Sequence, residues 1–333
     1  MTRHALTFIL LFVTLASCRL ALANDTEASI ALGGLVLKQN DVIAMRSEDL
    51  YISREQVRVR YQFANTSDKD VTITVAFPLP DIGWTPPDLR VEDENFEYII
   101  SPYYRYATPT VDFHTYVDGQ PIVAQAQWKA VVGDKDVTDW FQARELSISP
   151  DEVEFSKLSA ADRKDARRKG IFDGKNHPAW VMQTTYYWQQ KFPAGATLNI
   201  EHVYQPSTGG TVVSLMGDTM EYAKIEPGKT TSVGDSYKSY CVDQSLRDTV
   251  KRHAQNDQYY GEYWIDYILT TGANWKEPIA DFRLVVDKGD PKNLISFCGD
   301  DIKKISPTQF EMRKTNWRPE KDLSVLILVP HFD

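Results

Sequence analysis

The residues of this chain that could hold a metal ion are few and widely spaced. No two histidines form the HxH or HExxH pattern that puts two ligands on one face of a strand or helix. The acidic runs 92–94 and 300–301 lack the alternating acids and the glycine turn of a calcium loop. We therefore predict no metal site and no cofactor. The histidines beyond residue 23 are His114, His177, His202, His253 and His331.

A serine nucleophile is the next possibility. The run Gly234-Asp235-Ser236 resembles the nucleophile block of one lipase class. Such an enzyme also needs a histidine shortly after an aspartate near its C-terminus, and His331 has no aspartate at that spacing before it. Because a triad is defined by the geometry and roles of its members, chance explains this motif better. We predict no catalytic residue.

Two cysteines, Cys241 and Cys298, remain once the N-terminal segment described below is removed. An even number of cysteines in an oxidising compartment predicts one disulfide. The alternative is a thiolate nucleophile at Cys241 with His253 as its base. The residues between them are typical of a helix, which would separate the pair by about 18 Å. We therefore predict the bridge.

The chain begins with a predicted export signal. Arg3 starts a short basic region, residues 5–16 are apolar, and Ala21 and Ala23 form a small-x-small cleavage site that leaves Asn24 first. The apolar run is too short to span a membrane as an anchor. We therefore predict a periplasmic or secreted protein with no transmembrane anchor after the signal is removed.

One alternative for the export signal stays open. Residues 15–18 form an acceptable bacterial lipobox. Cleavage before Cys18 would leave that cysteine lipidated and the protein lipid-anchored. The sequence does not decide between this cleavage and the one after Ala23.

The composition excludes one class of partner. Removing residues 1–23 takes away two basic residues and no acidic ones, so 35 basic and 46 acidic residues remain and the formal charge changes from −9 to −11. An acidic chain offers no basic stripe for nucleic acid. The remaining 310 residues exceed what one hydrophobic core usually fills, so we expect two domains.

Most of the chain alternates apolar and polar residues with a period of two, which is typical of half-buried strands. Residues 56–63 and 71–77 alternate in this way on either side of the polar turn 65–70, which predicts a β-hairpin. Pro78 ends the second strand because proline cannot donate a backbone hydrogen bond. Further strands are predicted at residues 110–117, 122–131, 182–192, 198–204, 263–271, 281–287, 294–298, 308–314 and 323–329.

Helical signals are confined to two regions. Ser149 with Glu152 three residues later predicts a helix start with a capping box. Ser159 predicts the N-cap of a second helix that Gly170 ends. A third helix is predicted at residues 243–253.

The order of these elements predicts a mainly β fold. No helix alternates with the strands as it would in a βαβ protein. We expect two antiparallel β-sandwich-like domains with a short helical insertion between them. The predicted divisions are the signal peptide at 1–23, an N-terminal β domain at 24–136, the helical insertion at 137–178 and a C-terminal β domain at 179–333.

Several segments of the mature chain resemble one bacterial family of exported proteins, catalogued as domain of unknown function 4424. The resemblance covers essentially all of residues 24–330, although 91–109 and 142–178 contain no distinctive match. It implies an exported β-rich protein and carries no activity that could be assigned to particular residues. The matching segments are 33–53, 65–82, 184–204, 267–289 and 296–314.

A weaker likeness concerns residues 59–82. A strand, an Asn-led turn, a second strand and the run FPLP are similar to part of the vault and inter-alpha-trypsin domain. That family acts in protein interaction and adhesion. One hairpin is a recurrent arrangement, so the likeness is an analogy only.

Aromatic residues form two groups that a partner could contact. Packing between domains is the simpler interpretation, and a recognition surface for a peptide or glycan is the alternative. One group is Trp84, Tyr103, Tyr104 and Tyr106, and the other is Trp180, Tyr186, Tyr187 and Trp188.

These observations favour a non-enzymatic binding or structural protein of the cell envelope, with an unknown envelope protein or glycan as its partner. The alternative is a hydrolase acting on an envelope polymer. Convergent carboxylates about 5–10 Å apart in a cleft would favour the hydrolase, and a flat aromatic patch would favour binding.

Overall fold

The computed structural model describes residues 26–31, 34–84, 89–93, 96–100, 112–211, 213, 214, 216 and 237–332. Within these residues the protein is mainly β, as predicted. The predicted export signal, the motif 234–236 and three of the candidate recognition aromatics lie outside the described residues. Those aromatics are Tyr103, Tyr104 and Tyr106.

The strands follow one another along the chain with few helices between them. Up to the helical insertion they are β1 (Thr26–Ala31), β2 (Gly34–Lys38), β3 (Ile43–Ile52), β4 (Val57–Asn65), β5 (Val71–Pro78), β6 (Ile82–Gly83), β7 (Leu89–Asp93), β8 (Phe96–Ile100), β9 (His114–Val117), β10 (Gln120–Ile122), β11 (Gln125–Val132) and β12 (Lys135–Asp136). After it they are β13 (Val181–Phe192), β14 (Thr197–Tyr204), β15 (Thr208–Thr211), β16 (Tyr260–Tyr267), β17 (Ile279–Asp287), β18 (Leu294–Phe297), β19 (Lys303–Lys304), β20 (Gln309–Trp317) and β21 (Leu323–Pro330).

The helical segments are short. The α-helices of the described residues are α1 (Thr138–Gln142), α2 (Ala160–Lys169) and α3 (Gln244–Ala254). The 3-10 turns are Phe155–Lys157, Tyr237–Tyr240 and Thr270–Asn274.

The strands form three larger sheets and a separate β7–β8 hairpin. Sheet A has the order β12-β11-β13-β5-β1-β2, with β6 also pairing with β13. Sheet B has the order β10-β9-β14-β4-β3-β17-β20-β19, and sheet C has the order β15-β16-β21-β18. Among the described strands one pair, β3 with β17, is parallel, so the predicted all-antiparallel pairing is wrong at that point. Sequence alternation is the same in parallel and antiparallel strands and could not reveal it.

Sheets A and B both take strands from the two sides of the helical insertion. In sheet A, β13 pairs with β5, and in sheet B, β14 pairs with β4 and β17 pairs with β3. The division into domains at 24–136 and 179–333 stays a prediction, but backbone hydrogen bonds cross it in both sheets. Sheet C contains only strands that follow the insertion.

The predicted hairpin between residues 56–63 and 71–77 is wrong, although both strands are present. β4 belongs to sheet B and β5 to sheet A, so the turn between them crosses from one sheet to the other. The side chain of Asn65 holds this crossing by donating to the carbonyl oxygens of Lys69 at 2.7 Å, Phe192 at 3.0 Å and Pro193 at 3.1 Å. The hairpin behind the vault-domain likeness is therefore absent.

The inner faces of the three sheets share one hydrophobic core. Phe63 of sheet B, Phe77 of sheet A and Tyr267 of sheet C belong to the same cluster of buried side chains. The hydroxyl groups of Tyr61 and Tyr267 lie 3.1 Å apart within it. Sheet C therefore packs on sheets A and B through side chains even though it shares no strand with them.

The helical insertion has a small aromatic core of its own. Ser159 caps α2 by accepting from the Asp162 N–H at 3.1 Å, and Gly170 ends it with φ of 73°, as predicted. The helix predicted to start at Ser149 is wrong, because that segment makes a single turn. Val153 is buried in the insertion's core, and this tertiary burial overrides the local capping signal. The core contains Ala130, Trp140, Phe141, Val153, Ala166, Ile171, Phe172 and Trp180.

The structure contains the predicted disulfide. Cys241 and Cys298 are bonded, with Cα atoms 5.0 Å apart. The bridge fastens the turn Tyr237–Tyr240 to the end of β18, and α3 follows with Asp243 as its N-cap. The bridge excludes the alternative role of Cys241 as a thiolate nucleophile while it is intact.

Candidate functional site

A cleft of about 520 Å³ opens where sheet A meets sheet C. Its sheet A wall comes from the end of β5, the middle of β11 and the first half of β13, and its sheet C wall from the end of β16 and the start of β21. Both walls have apolar and polar side chains. The apolar residues are Leu37, Pro78, Leu79, Pro80, Tyr267, Ile268 and Leu323.

The sheet A wall presents neutral hydrogen-bonding groups and one ammonium. Gln127 and Lys129 of β11 lie opposite Thr185 and Gln183 of β13 in the strand register, so all four share one face. Gln183 Nε2 donates to Asp81 Oδ2 at 3.1 Å. Lys129 Nζ is 3.7 Å from a carboxylate oxygen of β12, so its charge is partly balanced.

The sheet C wall presents two carboxylates. Asp322 Oδ1 accepts from the Leu269 and Thr270 N–H groups, both at 3.0 Å, and from Thr270 Oγ1 at 2.8 Å. Asp266 Oδ1 accepts from Ser324 Oγ at 2.8 Å. The predicted strand 263–271 is therefore too long: it ends at Tyr267, because Asp322 draws the following N–H groups into the turn Thr270–Asn274.

The ionised form of Asp322 is disfavoured by its surroundings in the cleft. Burial raises the pKa of its carboxyl above the ordinary value of 3.8, and the nearby charge of Asp266 raises it further, while the hydrogen bonds from Thr270 and Leu269 oppose both effects. Every hydrogen bond that Asp322 accepts from the described residues ends on Oδ1. Among the described residues, none donates a hydrogen bond to its Oδ2.

The cleft is negative overall. Its described lining contains the carboxylates Asp81, Asp266 and Asp322 against the single ammonium of Lys129. Carboxylates at the edge of an apolar cleft attract and orient a positively charged group. The arrangement suits a ligand with an apolar body and a cationic end.

Of the aromatic residues singled out from the sequence, those that the structure describes do not line this cleft. Trp84 is half-buried and its ring stacks on the imidazole of His177, with centroids 4.4 Å apart. Trp180 is buried and donates from Nε1 to the Ile148 carbonyl at 2.8 Å. Tyr186 stacks on a neighbouring phenylalanine at 4.1 Å. A recognition role for Trp84 stays a prediction.

The histidines lie apart from one another and from the cleft. His202 is fully buried and its Nδ1 lies 3.0 Å from Thr115 Oγ1, in a ring of aromatic side chains. His177 Nδ1 lies 3.2 Å from Asp173, and His253 Nδ1 lies 2.9 Å from a glutamine oxygen. In the part of the chain that the structure describes, no three His, Cys, Asp or Glu side chains are grouped to hold a metal ion.

No pattern in the sequence marks Asp266 and Asp322 as functional residues. Asp266 is a polar residue near the end of an alternating strand and Asp322 lies just before a strand, and aspartates at both positions are usually solvated. They come together only because β16 and β21 are adjacent in sheet C, with Asp266 directly opposite Ser324.

The sequence profile of a family described as Domain of unknown function (DUF4424) matches residues 23–326 of the chain. The protein belongs to this family. Its match covers the strands of all three sheets up to β21, so the cleft lies within the DUF4424 region. A comparison with curated proteins gives no match for this DUF4424 chain.

Among solved structures, the DUF4424 chain is similar to the crystal structure of a candidate nutrient binding protein from Legionella pneumophila. The two are 19% identical with a TM-score of 0.42, and the similarity covers 92% of this chain and 70% of the other. This similarity is too low to transfer a ligand.

In the part of the DUF4424 chain that the structure describes, none of the helices has the length and apolar character of a membrane span.

Proposed function

We propose that this DUF4424 protein is a non-enzymatic binding protein of the cell envelope, and that the cleft between sheets A and C binds a small organic molecule with a positive charge. The observation that carries the proposal is the cleft itself. Its volume of about 520 Å³ lies in the range of small-molecule sites. Its lining combines apolar side chains, which can cover the body of a ligand, with polar and charged ones, which can fix its orientation.

The charge of the cleft supports a cationic ligand over an anionic one. An anion would have to approach Asp266 and Asp322, and a like charge beside a half-buried carboxylate costs free energy. A cationic group would instead relieve the repulsion between these carboxylates. Asp322 Oδ2 and the neutral amides of sheet A would complete its hydrogen bonds.

One observation favours the alternative, a hydrolase acting on an envelope polymer. A carboxyl group with a raised pKa beside a second carboxylate in a cleft is the arrangement that general acid catalysis uses. Asp322, however, uses Oδ1 to cap the turn after β16, and Asp266 is bonded to Ser324. These fixed structural bonds favour the binding role.

The location is part of the proposal. Export through the signal at 1–23 would place the protein in the periplasm or outside the cell, where the Cys241–Cys298 bridge is stable. Expressed with its signal, the protein should appear in the periplasmic fraction with Asn24 first. An intact mass showing acylated Cys18 would instead establish the lipid-anchored form.

The binding role is tested by calorimetric titration of the mature protein with spermidine, arginine, succinate and maltose. We expect heat of binding from a cationic probe and none from succinate. The double variant Asp266→Asn, Asp322→Asn should weaken that binding at least tenfold, about 1.4 kcal/mol. Asp49→Asn, on the outer face of sheet B, is the matched control and should bind as the wild type does.

Two results would contradict the proposal. Binding of succinate in preference to both cations would show that the charge argument is wrong. Release of soluble fragments from cell-wall polymer by the wild type, lost in Asp322→Asn with its fold intact by circular dichroism, would establish the hydrolase.

A further inference from the structure

Strand β11 is an edge strand of sheet A along much of its length. On one side it pairs with β13 from Gln125 to Val131. On the other side β12 pairs only with Val131 and Val132. Just before them, the Ala130 N–H donates to Thr138 Oγ1 at 2.9 Å, and the Ala130 carbonyl accepts from the Val137 N–H at 2.8 Å. The outer side of β11 is therefore closed from Ala130 onward.

Among the residues that the structure describes, nothing pairs with the backbone before Ala130 on that side. Peptide groups of alternate residues point to opposite sides of an antiparallel strand, so those of Ala126 and Trp128 point outward with that of Ala130. Within the described residues no group hydrogen-bonds to them there. Two outward-facing N–H groups and two carbonyls are left as a template for another strand.

Two common protections of an edge strand, a proline and a β-bulge, are missing from this stretch, and its one charged residue, Lys129, lies at its end. Residues 125–129 contain no proline, and their register with β13 is continuous, without a bulge. Trp128, in the middle of the open stretch, is 44% exposed. Val123, two residues before the start of β11, is 94% exposed. An open backbone edge with an exposed indole is suited to strand addition.

We propose that this edge pairs with the same edge of a second copy of the chain, antiparallel, with Ala126 of each copy opposite Trp128 of the other. The two-fold axis then passes between the two Gln127 residues, and each Ala126–Trp128 pair exchanges both of its backbone hydrogen bonds. Sheet A becomes continuous through the dimer.

The side chains of the edge are self-complementary in this register. Each Trp128 indole lies beside the small Ala126 side chain of the other copy, where it covers the open backbone and loses exposed area. Lys129 lies opposite Gln125, so no two like charges face each other. Because Gln127 and Lys129 also line the cleft, the dimer brings the two clefts side by side. The pairing does not depend on which ligand the cleft binds.

Sedimentation velocity of the mature protein over a wide concentration range tests the pairing. We expect a monomer–dimer equilibrium in the wild type. Ala126→Pro removes one outward N–H without touching the bonds to β13, and should shift the protein to monomer at every concentration. Trp128→Lys should also shift the protein to monomer, and it keeps the test available if the proline variant does not fold. Ile305→Lys, at another side chain of 44% exposure, is the control and should dimerise normally.

Cysteine cross-linking tests the register. In the proposed pairing the two residues at position 127 have Cα atoms about 4.5 Å apart, within disulfide range. Those at position 125 are about 14 Å apart, four residues along the strands. Gln127→Cys should therefore form a covalent dimer on oxidation, and Gln125→Cys should not.

Three results would overturn the proposal. The wild type could stay monomeric at all concentrations. A dimer could persist in both Ala126→Pro and Trp128→Lys, which would place the interface elsewhere. Equal cross-linking at positions 125 and 127 would show that the strands do not pair in this register.

Discussion

Removal of the Cys241–Cys298 bridge by Cys298→Ser should lower the stability of the protein without preventing folding. The two residues are separated by 57 positions, and the chain-entropy model gives about 4 kcal/mol for closing a loop of that size in the unfolded chain. We expect the folded contacts around the bridge to persist without it. Tyr237 stays buried, and Ser296 Oγ still donates to the Tyr240 carbonyl at 2.8 Å.

The shift in melting temperature depends on how much of the chain unfolds together. Sheets A and B share strands across the helical insertion, and sheet C belongs to the same core, which predicts one cooperative unit. For about 310 residues, 4 kcal/mol corresponds to a decrease of about 6 °C. If a C-terminal domain of about 150 residues unfolded alone, its melting temperature would instead decrease by about 13 °C.

Differential scanning calorimetry of the wild type, Cys241→Ser, Cys298→Ser and the double variant measures this shift. We expect one transition, lowered by about 6 °C to the same extent in all three variants, since either substitution removes the bridge. An unchanged melting temperature, or two free thiols titrated in the native wild type, would refute the reasoning. Two transitions, with only the first lowered, would support separate domains.

Three further predictions concern stability. Trp180→Ala removes a fully buried tryptophan from the insertion's core and should cost about 3–5 kcal/mol in chemical denaturation, against a much smaller effect for Trp180→Phe. Gly210→Ala should cost about 1–3 kcal/mol, because the added Cβ would overlap a backbone carbonyl oxygen of β16, whereas Gly174→Ala, with open space around it, should be close to neutral. Hydrogen bonds from Arg283 and a second arginine lower the pKa of Glu311 below its ordinary value of 4.5, so its contribution is present above that pH and is lost as the pH falls through the lowered pKa. Glu311→Gln should therefore cost about 0.5–1 kcal/mol at pH 7 and less as the pH falls below 4.5, and a cost independent of pH would contradict the ion pairing.

The strands of this fold could be predicted from the sequence, but their partners could not. Alternation in β4 shows which of its side chains are buried, whereas β5 is buried on both faces from Ile73 onward despite its alternating sequence. Alternation also suits both a hairpin and a crossing between sheets, so it does not identify the partner strand. The difference lies in contacts distant in sequence, where Asn65 bonds to Phe192 and Pro193. The disulfide was predictable because only two cysteines remained to pair.

The cleft could not be predicted from the sequence for a related reason. Asp322 takes its hydrogen bonds from residues about fifty positions earlier in the chain, and only the packing of sheet C against sheet A turns its carboxylate into part of a cleft. The aromatic residues were candidates for recognition because of their residue type alone. Trp180 and Trp188 are core residues, and neither lines the cleft.

The most direct test of cation binding in the cleft is methyl NMR of the mature protein, titrated with cationic, anionic and neutral fragments of similar size. Ile268, Leu79 and Leu323 provide methyl groups in the cleft, and the exposed Ile305 provides a control outside it. The proposal predicts that cationic fragments shift the cleft methyl signals and leave Ile305 unchanged, and that anionic fragments shift neither. Equal shifts from all three classes, or shifts confined to methyl groups outside the cleft, would contradict it.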